Sequence, residues 1–173
     1  VGSPIAGSGF ALDFGTKTAV GTYTIIATNI TTGCAMAMTG SVTINTNPLP
    51  VAYAVTGGGS YCSGGTGVHV GLLSSTPGNT YQLYVAGSPV GVGVAGTGGA
   101  LDFGAQTLAG NYTVKATDNV TGCVSTMLGS ATISINTLPA VYIVTGGGNY
   151  CVGGLGLHVG LTSSQTGVDY QLF

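Results

Sequence analysis

Charge is what this sequence has least of. Among 173 residues, two are basic and four acidic. They are Lys17, Lys115, Asp13, Asp102, Asp118 and Asp169; arginine, glutamate and tryptophan are absent. A soluble domain ordinarily carries about 25% charged residues, so this surface is built of hydroxyls, amides and backbone. Two lysines far apart in the chain make no basic face for phosphates, which excludes nucleic-acid binding and polybasic contact with a membrane. Long apolar runs are missing too. Although 44% of residues are apolar, glycine, threonine and serine interrupt every run before the about 20 residues of a spanning helix, so no membrane insertion of this segment is expected. No signal peptide or sorting tail is legible, and export signals would have been removed or lie outside this segment. The CxxC spacing of a zinc site is absent, and His69 and His158 stand alone.

What the sequence has instead is glycine, 33 residues of it, together with threonine, valine and tyrosine. That mixture disfavours helix and favours short strands joined by tight turns, an all-β chain. The chain also repeats itself. "LDFG" occurs at Leu12 and Leu101, Tyr23 recurs as Tyr112, Cys34 as Cys123, Cys62 as Cys151 and His69 as His158, each at a spacing of 89 residues. Over residues 12–84 set against 101–173, 42 of 73 positions are identical. "GSP" at Gly2 and Gly87 extends the match across a four-residue insertion around Val90 to Gly93. Boundaries are expected at the proline-containing stretches "NTNPLP" and "INTLPA", because proline ends strands and stiffens linkers. The domain reading is then 1–47, the C-terminal half of one repeat; 48–136, a complete repeat; and 137–173, the N-terminal half of the next.

Within the complete repeat, strand signals come at short intervals between glycine and proline clusters. "AYAVT" and "GVHVGL" alternate, with Val68, Val70 and Leu72 on one face and His69 on the other. "TYQLYVAGSPVG" reads as a hairpin around Ala86 to Pro89, and "ALDFGAQTLAGNYTVKATD" as two strands, the second burying Tyr112, Val114 and Ala116. "GSATISI" closes the unit with Ala131, Ile133 and Ile135 inward. Six or seven strands in about 90 residues is a sandwich pattern. In "AGNYTVKATD" and "VGTYTIIATN" a glycine, one residue and a tyrosine open an alternating strand, which resembles the tyrosine corner of immunoglobulin-like sandwiches at Tyr112 and Tyr23. The antibody hallmarks are missing: there is no tryptophan, and Val114 or Ile25 stands two residues after the tyrosine.

Taken together, "TGGGSYCSGGTGVHVGL", "YQLYVAGSPVG", "GALDFGAQTLAGNYTVKATDNVTGCVSTMLGSATISI" and the "PLP" linker resemble the tandem immunoglobulin-like repeats of large Bacteroidota cell-surface adhesins of the gliding-motility type, exported by type IX secretion. The resemblance covers the whole chain. It implies tandem immunoglobulin-like β-sandwiches in an extracellular, cell-attached array, and it carries over no catalytic residue.

Four cysteines, two per repeat, suit an oxidising exterior. Cys62 with Cys123 is the simplest pairing, and closing a loop of about 60 residues would stabilise by roughly 4 kcal/mol in the entropic model. Cys34 and Cys151 would then lack partners. Against it, the usual immunoglobulin strand order puts the first loop and the last hairpin turn at opposite ends of the sandwich, whereas bonded cysteines need Cα atoms within about 7 Å. A bond from the first loop of one domain to the last turn of the next is the alternative, and free thiols are the third.

The remaining features point away from chemistry. The sequence places no carboxylate or nucleophile beside His69 or His158. Asp13 and Asp102 are better read as turn or strand-end hydrogen bonders than as calcium ligands, which come clustered. The glycine-rich "TGGGSYCSGGTG" precedes neither a lysine nor a helix, so it is no phosphate cradle. "NIT", "NYT" and "NVT" at Asn29, Asn111 and Asn119 match the N-glycosylation acceptor pattern, but no such glycan is expected in a Bacteroidota protein. No enzyme, cofactor or metal is expected. The leading expectation is a structural and adhesive segment of an extracellular fibre, its partners neighbouring copies of the repeat in the same or adjacent chains. Exposed Ile26, where the other copy has Lys115, is one candidate contact. A lectin-like module is the alternative, with Tyr53, Tyr61, Tyr81 and Tyr84 or their repeats stacking on surface glycans. The half-repeats at the two ends are read as parts of a continuous array, or else as halves completed by neighbouring chains through strand exchange.

Overall fold

The computed structural model describes residues 2–173. Fifteen strands and no helix are found among them, so the chain is all-β. It divides into two compact units, Val1–Leu49 and Pro50–Phe173.

The first unit holds four short strands, β1 (Gly21–Tyr23), β2 (Ile26–Thr28), β3 (Ala35–Ala37) and β4 (Val42–Ile44). They make two separate antiparallel pairs, β1 with β4 and β2 with β3.

The second unit contains the complete repeat, in which β5 (Val55–Gly57), β6 (Gly59–Cys62), β7 (Val68–Leu72), β8 (Asn79–Val85), β9 (Ser88–Ala95), β10 (Leu101–Gln106), β11 (Gly110–Asp118), β12 (Val124–Thr126) and β13 (Ala131–Asn136) follow one another. One sheet runs β10-β7-β5 and the other β6-β13-β11-β8-β9, with β12 also paired to β11. Every pairing is antiparallel except β6 on β13. Beyond the repeat, β14 (Val144–Gly146) and β15 (Val159–Leu161) make a two-stranded antiparallel pair.

Local sequence accounts for these elements. In β11, Tyr112, Val114 and Ala116 alternate with the exposed Lys115 and half-buried Thr113 and Thr117, the period-2 pattern of a strand with one face on a core. β8 does the same with Asn79, Tyr81 and Leu83. Ala86 and Gly87 join β8 to β9 with φ of 48° and 82°, the two positive angles a tight primed hairpin turn needs to match strand twist. The chain passes from one sheet to the other between β5 and β6 at Gly57, Gly58 and Gly59, whose φ values are 88°, 85° and 132°. A Cβ on Gly57 would also run into the His69 carbonyl oxygen, so glycine is required there twice over.

The core lies between the two sheets. Val70, Leu72 and Leu101 come from the three-stranded sheet, and Tyr81, Leu83, Tyr112, Val114, Ala116, Ala131 and Ile133 from the other, with Met127 joining them in one cluster. Each full burial of a Val, Leu or Ile side chain stabilises by about 1.5–3 kcal/mol. The result is a β-sandwich-like fold. Ile135, expected inward, is exposed. β13 outruns its neighbour here: its pairing with β11 ends at Ile133 opposite Gly110, and Ile135 lies against only the edge strand β6.

Candidate assembly site

The 89-residue spacing gives residues 12–47 and 140–173 counterparts in the complete repeat. Residues 12–47 correspond to β10 through β13, and residues 140–173 to β5 through β8.

In each segment, stretches whose counterparts are strands are irregular. "LDFG" is strand β10 at Leu101 but irregular at Leu12, and "YQL" lies in β8 at Tyr81 but is irregular at Tyr170. A strand needs a neighbour for its ladder, and among the described residues none pairs with these two stretches. Burial follows the same rule. Val114 and Leu83 are 0% and 1% exposed, whereas their counterparts Ile25 and Leu172 are 43% and 73% exposed. Leu12, Val42, Val159, Leu161 and Tyr170 likewise lie open where their counterparts are buried. The first segment forms a groove of about 1120 Å³ lined by Leu12, Phe14, Tyr23, Ile25, Val42 and Ile44. The last forms one of about 460 Å³ lined by Val144, Val159, Leu161, Tyr170 and Leu172. Both grooves are apolar and open to solvent among the described residues.

The structure brings one titratable pair together that the sequence reading left apart. His69 Nδ1 lies 2.8 Å from Asp102 Oδ2, on the outer face where β7 and β10 pair. The Asp102 carboxyl is held below its ordinary range, first by the Gly104 N–H that donates to Oδ1 at 2.8 Å and then by His69. Both side chains are more than half exposed, so the pair adds little to stability. The recurrence of His and LDFG at one spacing was the available signal, and only the pairing of β7 with β10 converts it into a contact. Asp13 repeats the turn, with Oδ1 accepting from the Gly15 N–H at 2.8 Å. Among the described residues, no group of His, Cys, Asp or Glu is arranged to hold a metal ion.

None of the four candidate disulfide cysteines, Cys34, Cys62, Cys123 and Cys151, is bonded to another in the structure. The expected pairing of Cys62 with Cys123 is prevented by register. Cys123 hydrogen-bonds Asp118 at one end of β11. Cys62 opposes Asn136, three residues beyond the Ile133 that pairs with Gly110 at the other end. The length of β11 between Gly110 and Asp118, at about 3.3 Å per residue, already separates the two by about 26 Å.

The tyrosines singled out by sequence are largely engaged. The Tyr112 hydroxyl donates to the Leu108 carbonyl at 2.8 Å, and the Tyr23 hydroxyl to that of Ala19 at 2.8 Å. Burial raises the Tyr112 pKa. Tyr81 is fully buried, and its hydroxyl accepts from the Thr76 N–H at 2.8 Å. Tyr53 meets the Thr76 hydroxyl at 3.0 Å, Tyr61 donates to the Thr107 carbonyl, and Lys115 Nζ lies 4.9 Å from the centre of the Tyr84 ring. No protein-family model matches this chain, and a search of curated proteins returns no significant relative.

Proposed function

We propose that this chain is a segment of an extracellular fibre or surface adhesin built from tandem immunoglobulin-like domains repeating every 89 residues, of the Bacteroidota gliding-adhesin type, whose role is attachment and filament assembly rather than catalysis. The observation that carries the reading is the strand arrangement of the complete repeat. A β5-β7-β10 sheet faces a β6-β13-β11-β8-β9 sheet, and the first strand divides between them so that β6 runs parallel to β13. That order supports an immunoglobulin-like sandwich with an added edge strand. The tyrosine hydroxyl bonds at Tyr112 and Tyr23 agree with it.

The path of the chain within the repeat is compatible with a linear array: it enters where Ala54 bridges Leu128, ahead of β13, and leaves at Asn136 at the far end of that strand. Surfaces with almost no charge lack the repulsion that keeps neighbouring molecules apart, which favours association through apolar and hydroxyl contacts. Small-angle scattering and electron microscopy of a protein with several repeats test the reading. An extended particle lengthening by one domain per repeat is expected, and compact monomers whose length does not grow with repeat number would refute it.

A further inference from the structure

We propose that bulges in β9 and β10 close one edge of the sandwich to strand pairing with another molecule, the part that charged side chains usually play. The proposal concerns the complete repeat alone and does not depend on the fibre reading.

An edge strand presents unpaired N–H and C=O groups on its free side, a template on which a further strand can add. β9 and β10 are such strands, since each lies at the end of its sheet. They share one side of the sandwich, because β5 and β6, the two parts of the first strand, end both sheets on the other. Those two are only three and four residues long, and short edges add strands poorly. β9 and β10 are longer, with eight and six residues. Lysine is a common guard at such edges, but β9 carries no charged residue and β10 only Asp102. An uncharged strand holding Val90, Val92 and Val94 needs another guard.

Both strands are interrupted near their middle. In β9, Gly91, Val92 and Gly93 stand opposite Gln82 alone. In β10, Phe103 and Gly104 stand opposite Val70 alone. Gly91 and Gly104 have φ of 64° and 79°, left-handed values that break the extended ladder, and Val92 projects into solvent.

A glutamine holds each interruption. Gln82 Nε2 donates to the Leu83 carbonyl at 3.0 Å and the Val90 carbonyl at 2.8 Å, so its amide bridges β8 and β9 beside the bulge. Gln106 Nε2 donates to the Phe103 carbonyl at 2.9 Å and the Gly104 carbonyl at 3.3 Å, while Asp102 Oδ1 accepts from the Gly104 N–H. The Gly104 N–H and C=O, groups an incoming strand would use, are thereby engaged by side chains of β10 itself.

The β9 bulge falls in the four-residue insertion that separates this copy of the repeat from the preceding one. The β10 arrangement is encoded locally. In the preceding copy Gly15 has φ of 70° and donates to Asp13 Oδ1, and Lys17, standing where Gln106 does, donates to the Phe14 carbonyl, although that stretch forms no strand. Two different long side chains at one position make the same contact.

Straightening the strands in the intact chain tests this. Removing Val92 and Gly93 leaves Gly91 alone opposite Gln82 and keeps Val94 opposite Tyr81. Removing Gly104 leaves Phe103 alone opposite Val70 and keeps Ala105 opposite His69. Sedimentation velocity gives the size of each protein, and amide hydrogen exchange read by mass spectrometry gives the strands through which it associates. Wild-type exchange in β9 and β10 should not change with concentration. Each deletion should shift the chain to larger species as concentration rises, with new protection in the straightened strand. Gln82→Ala and Gln106→Ala keep the strand lengths and should cause a smaller shift of the same kind; they decide the matter where a deletion abolishes the unfolding transition of the repeat. Wild-type chains that gain protection in β9 or β10 on concentration, folded deletion variants that gain none, or, where a deletion does not fold, a glutamine variant that gains none would overturn the proposal.

Discussion

Leu83 and Leu172 occupy the same place in a repeated sequence, each inside a tyrosine-glutamine-leucine stretch, and opposite places in the structure. Leu83 is sealed between two sheets, while Leu172 stands largely in solvent on a segment with no ladder. Local sequence cannot be the cause, since the neighbours on one side are identical. The difference lies in what is across from them. Val114 opposes Leu83 on β11, whereas among the described residues no strand pairs with Leu172. The lesson is that local pattern alone does not make a strand here, which forms only where another segment pairs with it.

Truncation of the two leucines gives the largest contrast. Leu83→Ala should destabilise the complete repeat by about 2–5 kcal/mol, the range for deleting a buried leucine. Leu172→Ala should change the monomer by less than about 0.5 kcal/mol, as exposed substitutions do. Chemical denaturation of both variants checks this, and equal losses would break the comparison. A smaller contrast is expected from the two tyrosine hydroxyls. Tyr112→Phe removes a buried bond to the Leu108 carbonyl and should cost about 0.5–1.5 kcal/mol. The same bond at Tyr23 is less sheltered, so Tyr23→Phe should cost less in the same measurement.

The smallest effect concerns acid. Asp102 and Asp118 are both held below the ordinary carboxylate value, Asp102 chiefly by the Gly104 N–H and Asp118 by the N–H groups of Thr121 and Val120. A depressed carboxyl contributes stability that is present above its unfolded pKa and lost as pH falls through its folded one. Stability of the complete repeat should therefore decline below pH about 4. Replacing Asp102 and Asp118 with asparagine should flatten that decline, and an unchanged acid limb in thermal melts would count against the assignment.

The sequence by itself determined which face of a strand turns inward and where the chain turns. The alternation of Tyr112, Val114 and Ala116 faces the core as read, and Ala86 with Gly87 makes the expected hairpin. These features are legible because side-chain period and turn angles are properties of adjacent residues. Tertiary structure alone decided the rest. It placed Asp102 beside His69 and set Cys62 and Cys123 at opposite ends of the sandwich. It left Ile135 outside the core and made the same "LDFG" a strand at Leu101 and an irregular stretch at Leu12. Each of these outcomes depends on a backbone ladder or a buried contact with residues distant in sequence, and no short stretch of chain carries its own partner.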